Sequence, residues 1–211
     1  MNLINFYWTI LFNIVHFGFS GLLRWKVVFV GRMRGSLWKG NINASALNGS
    51  RVIVGKRYTK GIESSSYTYW NVKGDVLFRG EARIPFGSII EVTEGAHLIM
   101  GEGFRGSHGS KIIVHERIEL GSNVLLAWNA KILDTDFHRL SSVDGLKSMS
   151  KPILIGNKCW IGINAVITKG TRLGDHVFVG PNVSIGGMKI PSYTIIKNKV
   201  VEIRHNSHLI G

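Results

Sequence analysis

Residues 155–190 read IGNKCWIGINAVITKGTRLGDHVFVGPNVSIGGMKI, which divides without a gap into six blocks of six residues. Every block opens with an aliphatic residue, and most blocks have Gly in second place. The fifth place of the first five blocks holds a second column of mostly small residues, namely Cys159, Ala165, Thr171, Val177 and Val183. A period of six matches neither an amphipathic helix nor simple strand alternation. It predicts a solenoid in which each block is one short strand and a corner, and three blocks complete a triangular coil.

The same phase continues upstream at Val114, Leu120, Leu126 and Ile132. It lapses between His138 and Pro152, which predicts a loop that leaves the solenoid. We expect the glycines that follow the aliphatic residues to serve corners with unusual backbone angles. An ordinary antiparallel sheet protein is the alternative, and six consecutive blocks argue against it.

The predicted fold class is mainly β, a parallel β-helix with two appendages. The pattern assigns residues 41–190 to the β-helix, with the loop at 138–152. Residues 1–40 form an apolar and basic N-terminal segment, and residues 191–211 form a short C-terminal tail. The length of 211 residues is sufficient for one such domain.

The formal charge of +13 predicts attraction to anions, whether nucleic acid, an acidic membrane or a phosphorylated small molecule. We predict no nucleic-acid partner, because no helix-turn-helix, zinc-finger or RNP signature is present. Cys159 is the single cysteine, so an intrachain disulfide is excluded and a reducing compartment, the cytoplasm, is the default expectation.

The first 23 residues contain no charged side chain, and five basic residues follow between Arg24 and Lys39. This stretch approaches the length of a spanning helix, but Asn2, Asn5, Asn13 and His16 would each need a polar partner in hydrocarbon. It also lacks the basic start and cleavage site of a secretory signal. Three placements remain open. The segment docks on the protein's own core or a neighbouring subunit, which is the simplest expectation, or it makes a peripheral membrane contact, or it spans the membrane.

The phrases LGSNVLLAWNAKILDTDFH at 120–138 and IGNKCWIGINAVITKG at 155–170 resemble the hexapeptide-repeat acyltransferases, in particular the sugar and polysaccharide O-acetyltransferases related to maltose and galactoside acetyltransferases. The resemblance covers about residues 72–190. It implies left-handed coiling, a homotrimer with active sites between subunits, and acetyl-CoA as the acyl donor. The C-terminal sequence departs from the family, which usually carries a Gly-Asn-Pro-Ala stretch after the last coils.

The residue with the clearest chemical role is His138, which closes the Asp-Thr-Asp-Phe-His phrase where the repeat opens into the loop. Transfer of an acetyl group to a hydroxyl needs a base, and histidine titrates in the right pH range. The resemblance also makes His138 the catalytic base. Asp134 and Asp136 are expected to orient its ring or bind sugar hydroxyls. Trp128 and Trp160 are expected to wall the substrate cleft, with packing between coils or subunits as the alternative.

The donor side is expected to use corner amides and cations. The backbone at Gly162 and Gly180 is predicted to receive the pantetheine arm, and Lys169, Lys189 and Lys197 are predicted to bind the phosphates of CoA. Solvated surface charge is the alternative for each lysine. No metal is expected, because no pair of histidines shows the spacing of the zinc-dependent members of the repeat class.

These observations predict an acetyltransferase that moves an acetyl group from acetyl-CoA to a hydroxyl of a sugar or of a cell-surface polysaccharide precursor. One alternative is an acetyltransferase on serine or on a sugar amine. The other is a non-catalytic trimeric scaffold, which has no evident reason to keep the Asp-Thr-Asp-Phe-His phrase next to a broken repeat.

Overall fold

A computed structural model of the chain describes residues 3–44, 46–47, 49–58, 66–139, 141–142 and 145–198. The structure is a left-handed parallel β-helix preceded by the helical segment α1 (Leu3–Arg24), which is kinked at Gly18 (φ 64, ψ −162), so the predicted fold class is confirmed. The chain visits three faces in turn, and each strand pairs in parallel with the strand one coil later. The three sheets therefore form the faces of a triangular prism.

The sheets are named A, B and C in the order in which the chain first enters them. Sheet A has eight strands, Val27–Phe29, Val52–Lys56, Ala82–Pro85, Phe104–Arg105, Leu125–Leu126, Trp160–Ile161, Phe178–Val179 and Ile195–Ile196. Sheet B has seven, Met33–Ser36, Thr68–Val72, Ile89–Val92, Lys111–Val114, Lys131–Leu133, Val166–Thr168 and Ser184–Gly186. Sheet C has seven, Asn41–Asn43, Asp75–Phe78, His97–Met100, Arg117–Leu120, Ile153–Ile155, Arg172–Leu173 and Lys189–Ile190. Ser141–Ser142 and Gly145–Leu146 form a separate antiparallel pair.

The two residue columns of the repeat line the interior of the prism. The leading aliphatic residues from Ile155 to Ile185 are buried, and so are Cys159, Ala165, Thr171, Val177 and Val183 in the fifth places. Burial of each large aliphatic side chain contributes roughly 1.5 to 3 kcal/mol. The periodic pattern thus arises from one continuous apolar core.

The glycines in second place have a different role from the one expected. Gly121, Gly156 and Gly174 are absent from the residues with positive φ. The residues two places after them have it, namely Asn123 (φ 58), Lys158 (φ 55) and His176 (φ 57). A Cβ on Gly156 would lie 2.6 Å from the carbonyl carbon of Gly174, and one on Gly121 would lie 2.6 Å from that of Gly156. Successive coils approach so closely at this edge that only glycine fits, and the residue two places later takes the left-handed conformation instead.

The solenoid extends beyond the predicted bounds at both ends. Its first strand, Val27–Phe29, lies well before residue 41, and the strand Ile195–Ile196 lies after residue 190. The early coils do not show the six-residue period in the sequence because their corners are irregular in length. Residues 199–211 of the predicted tail lie outside the described part of the chain.

Helix α1 packs its polar side chains against the first coil. Asn13 Nδ2 donates to the carbonyl of Val27 at 2.7 Å, and the Val27 amide donates to Asn13 Oδ1 at 3.2 Å. The amide of Phe29 donates to Thr9 Oγ1 at 3.1 Å. These bonds satisfy the free edge of sheet A, which would otherwise present unpaired backbone groups. The stretch Leu3–Gly21 is also long and apolar enough to cross a membrane.

Candidate functional site

The predicted loop is a hairpin that leaves the prism at the corner between sheets B and C. It interrupts the solenoid between Leu133 and Ile153. The Asp136 amide donates to the Met149 carbonyl at 3.0 Å, and the Lys151 amide donates to the Asp134 carbonyl at 3.0 Å. The base of the loop is therefore an ordered antiparallel ladder that carries His138 away from the coil.

Asp134 does not take the substrate-binding role that the sequence suggested. Its side chain is completely buried. Its carboxylate accepts the amides of His115 at 2.7 Å, Glu116 at 2.9 Å and Arg117 at 2.7 Å. Both oxygens are committed to the corner of the preceding coil, so Asp134 holds this corner in place and does not reach a sugar.

Asp136 and Lys169 were predicted separately, and the structure brings them together. Lys169 Nζ lies 2.5 Å from Asp136 Oδ2 and donates to the Ser148 carbonyl at 2.5 Å. Lys169 lies at the same corner one coil later, and it is mostly buried by these contacts. The expected contact between Lys169 and a CoA phosphate is thus replaced by an ion pair that anchors the loop.

His138 is exposed and directly follows a backbone kink in the loop. Phe137 has a φ of 62, which is rare for an aromatic residue, and its amide donates to Thr135 Oγ1 at 3.0 Å. The Phe137 ring packs edge-on against His115 at 5.4 Å between centroids. The kink and this ring contact fix the backbone next to His138, and strained backbone of this kind is frequent at functional sites.

A groove of about 530 Å³ lies beside this loop at the B and C corner. Its lining residues are His115, Glu116, Arg139, Lys147, Ser148, Met149 and Ser150. His115 Nε2 is buried without a hydrogen bond, 3.9 Å from Glu91 Oε1. His115 was not predicted as a neighbour of the loop, although its place directly after the inward Val114 puts it at a corner.

The two tryptophans lie elsewhere on the same prism. Trp160 opens a strand of sheet A, is 48% exposed and packs on Phe178 at 4.6 Å between ring centroids. Trp128 is exposed at the corner between sheets A and B. Face A lies opposite the corner that carries His138. One chain therefore does not bring either indole to His138, contrary to the shared cleft that the sequence suggested.

The predicted donor amides are occupied in the ladder between coils. The Gly162 amide donates to the Val179 carbonyl at 2.8 Å, and the Gly180 amide donates to the Ile196 carbonyl at 2.8 Å. They have no free N–H for a pantetheine arm. Lys189 and Lys197 are exposed on the last coils, where a phosphate has access to them.

Neither catalysis by a cysteine thiol nor metal binding finds support at the site. Burial raises the pKa of the Cys159 thiol, whose Sγ donates to the Gly174 carbonyl at 3.1 Å. In the part of the chain that the structure describes, no three His, Cys, Asp or Glu side chains converge in a way that suits a metal ion.

Comparison with protein families agrees with the repeat and with the fold. The family model described as bacterial transferase hexapeptide (six repeats) matches residues 152–187. These residues are similar to the hexapeptide repeats of bacterial transferases. The matched stretch begins directly after the hairpin and includes Trp160, Gly162, Lys169 and Gly180.

Two curated proteins resemble parts of the chain. A galactoside O-acetyltransferase of Escherichia coli (strain K12) is 32% identical over 89 residues, which are 41% of this chain and 43% of the relative. An uncharacterized 24.8 kDa protein in the cps region of Klebsiella pneumoniae is 26% identical over 112 residues, 53% of this chain and 50% of the relative. The chain spans about half the length of the curated relatives that it matches.

Two solved structures also align with the hexapeptide solenoid. The polySia specific acetyltransferase NeuO aligns with a TM-score of 0.46 and 20% identity, over 88% of each chain. A maltose O-acetyltransferase from Clostridium difficile 630 aligns with a TM-score of 0.29 and 18% identity, over 91% of this chain and 78% of the other.

Proposed function

We propose that this protein is an acetyltransferase that moves an acetyl group from acetyl-CoA to a hydroxyl group of a sugar, with His138 as the general base. One observation carries the proposal. The long interruption of the repeat at the B and C corner raises an exposed histidine on an anchored hairpin beside a groove. A purely structural solenoid gains nothing from this arrangement.

The chemistry needs one group that accepts and returns a proton. The imidazole of His138 takes the proton from the acceptor hydroxyl while the hydroxyl oxygen forms a bond to the thioester carbonyl carbon. The bond between that carbon and sulfur then breaks, and the departing thiolate receives the proton from the imidazolium. General base catalysis of this kind contributes about 10²- to 10⁴-fold to the rate.

The charges near the site suit an anionic donor. Lys147 and Arg139, which directly follows His138 in the chain, line the groove, and Lys189 and Lys197 are exposed on the last coils. Arg and Lys side chains are the usual partners of phosphate groups. We assign the phosphates of acetyl-CoA to these cations in place of Lys169, which is held by Asp136.

The acceptor is proposed from similarity. The likeness to a galactoside O-acetyltransferase favours a sugar hydroxyl, in a free sugar or in a precursor of a cell-surface polysaccharide. The polar groups of the groove, among them Glu116, Ser148 and Ser150, suit hydrogen bonds to hydroxyls. Serine and sugar amines are the competing acceptors.

A homotrimer would complete the site. Trp160 lies on the face opposite His138 in one chain, so an indole wall for the acceptor has to come from a neighbouring copy. Closed cyclic assemblies place the same two surfaces together at every interface. We assign this trimer to the cytoplasm, where acetyl-CoA is made, with the N-terminal end near the membrane.

The test is the release of free thiol from acetyl-CoA with sugars, serine and amino sugars as acceptors. We expect a sugar to stimulate release, and His138→Ala to reduce kcat/KM at least about a hundredfold. The matched control is His97→Ala, which removes another exposed histidine that pairs with Asp75 on sheet C. If serine or the amine of an amino sugar is the group that accepts the acetyl, it replaces the sugar hydroxyl as the acceptor in this proposal.

Ligand binding separates an enzyme from a scaffold. Acetyl-CoA at a hundred times its Kd should add about 2.7 kcal/mol to the free energy of unfolding of an enzyme that binds it. If acetyl-CoA neither stabilises the protein nor is consumed with any acceptor, the proposal fails and the trimeric scaffold is the better account.

A further inference from the structure

We propose that the outward face of helix α1 docks the N-terminal end of the prism on an anionic membrane surface. This outward face consists of the exposed residues Leu3, Ile4, Tyr7 and Val15 before the kink at Gly18, and of Phe19 and Leu23 after it. Leu3, Phe19 and Leu23 are 87%, 81% and 85% exposed. The inference is independent of the acetyltransferase reaction.

The buried side of the helix is mixed, because Phe12 packs into the core beside three polar residues, and several large apolar side chains are left outside. Its buried residues include Asn5, Thr9 and Asn13, whereas large apolar side chains point to solvent. A surface helix of a soluble protein normally buries its apolar stripe and exposes its polar one. A solvent-facing apolar face of this extent marks an interaction surface.

The inward contacts favour a helix that lies on the membrane over one that crosses it. Thr9, Asn13 and His16 donate or accept hydrogen bonds at the edge of the first coil, where His16 Nε2 lies 3.0 Å from the Leu37 carbonyl. Insertion across the bilayer would break these bonds and leave the polar side chains in hydrocarbon. An interfacial helix keeps them and buries only its outer face.

The charge of the N-terminal part identifies the membrane as anionic. Nine Lys or Arg residues and no Asp or Glu precede Glu63. Arg24 ends α1, and Lys26 Nζ lies 5.0 Å from the centre of the Phe17 ring of that helix. Basic residues beside an apolar face bind negatively charged lipid headgroups.

Aromatic residues at the same end fit the headgroup region. Trp8 packs on Trp38 at 5.1 Å between ring centroids, and both Trp38 and Tyr7 are exposed. Trp and Tyr concentrate where apolar lipid meets water. The prism would then stand with its first coil at the membrane and the His138 corner several coils away from it.

The experiment is flotation of the full chain with vesicles of phosphatidylcholine, with and without phosphatidylglycerol, at low and high salt. The helix variant carries Ile4→Glu, Val15→Glu and Phe19→Glu, which leave the inward bonds intact. The matched control carries Ile163→Glu, Met188→Glu and Tyr193→Glu, the same charge change at exposed apolar residues of the last coils. Circular dichroism confirms that both variants fold.

We expect the wild type to float with the anionic vesicles, less at high salt, and poorly with neutral ones. The helix variant should bind at least tenfold more weakly, and the control should bind like the wild type. Extraction with alkaline carbonate should release the bound protein.

The proposal is overturned if the wild type binds neither vesicle or if the helix variant binds as well as the wild type. It is overturned as well if carbonate fails to release the bound protein, which would indicate a spanning helix. It is also overturned if only the oligomer size falls in the helix variant, because the face is then a contact between copies.

Discussion

Lys169 Nζ lies 2.5 Å from Asp136 Oδ2, and this pair ties the His138 hairpin to the coil that follows it. The two residues are 33 positions apart in the sequence and meet because both lie at the corner between sheets B and C. The hairpin is also held by the ladder at its base, by the bond from Lys169 to the Ser148 carbonyl and by the contact of the Phe137 ring with His115. The position of His138 therefore depends on the contacts of Lys169 more than the stability of the solenoid does.

Removal of the Lys169 ammonium should reduce activity with little loss of stability. We expect Lys169→Met to lower the rate of acetyl transfer about tenfold or more, because the hairpin no longer holds His138 in one position. The free energy of unfolding should change by less than about 1 kcal/mol, as is usual for partly exposed pairs. Chemical denaturation and thiol release measure both quantities, with Lys158→Met as the control.

A double-mutant cycle makes this prediction specific to the pair. Asp136→Asn combined with Lys169→Met should be no worse than either single variant, since each already breaks the contact. Fully additive losses would show that the two residues act independently.

Replacement of Asp134, unlike replacement of Lys169, should strongly reduce the stability of the protein. Asp134→Ala leaves three amide groups of the His115 corner without their acceptor, so we expect the free energy of unfolding to fall by more than about 3 kcal/mol. Asp134→Asn keeps one acceptor oxygen and should lose less. Asp75→Ala, at an exposed carboxylate, is the control in thermal and denaturant unfolding. A change in acceptor KM with unaltered stability would restore the substrate-binding role.

The close approach of successive coils at the corner between sheets C and A can be tested by one Gly-to-Ala substitution, which either stabilises or destabilises the protein. Gly-to-Ala changes at relaxed backbone positions stabilise proteins by about 0.4 to 1 kcal/mol. Gly156→Ala should instead destabilise by about 1 to 3 kcal/mol, because its Cβ would overlap the Gly174 backbone. Gly180→Ala, whose nearest contact would be the Ile196 carbonyl at 2.9 Å, should cost less. Equal stabilisation of both variants in urea unfolding would contradict the packing argument.

The sequence was sufficient for the fold because the core repeats a local pattern. Ile155 and Cys159 occupy fixed places in a block of six residues, and every later coil repeats them inside the prism. The lapse after His138 likewise predicted a loop, since a broken period is visible without any structure, but not that the loop is a hairpin. The first coils were not predicted because strands such as Val27–Phe29 are separated by irregular corners.

The partners of the site residues could not be predicted because they depend on contacts between coils. Asp134 and Asp136 look alike in the sequence, yet one is buried against backbone amides and the other pairs with Lys169. Trp160 lies 22 residues after His138 in the chain, but the triangular cross-section puts it on the opposite face. Residue spacing gives the face on which a side chain lies and does not give its partner.

The packing of α1 against the first coil should depend on pH through His16. Burial lowers the pKa of this imidazole below its ordinary value of 6.5, although its hydrogen bond with the Leu37 carbonyl acts in the opposite direction. The native state thus binds the proton less well than the unfolded chain does. Its stabilising contribution is complete above about pH 6.5 and is lost as the pH falls from there toward the lowered pKa.

We therefore expect the free energy of unfolding of the wild type to fall between pH 7.5 and pH 5 by more than that of His16→Gln. Glutamine is neutral throughout this range, and its amide can still donate to Leu37. Because the two proteins differ only at residue 16, the difference between the two pH profiles isolates His16. Parallel profiles in urea unfolding would show that His16 is as accessible to protons in the folded protein as in the unfolded chain.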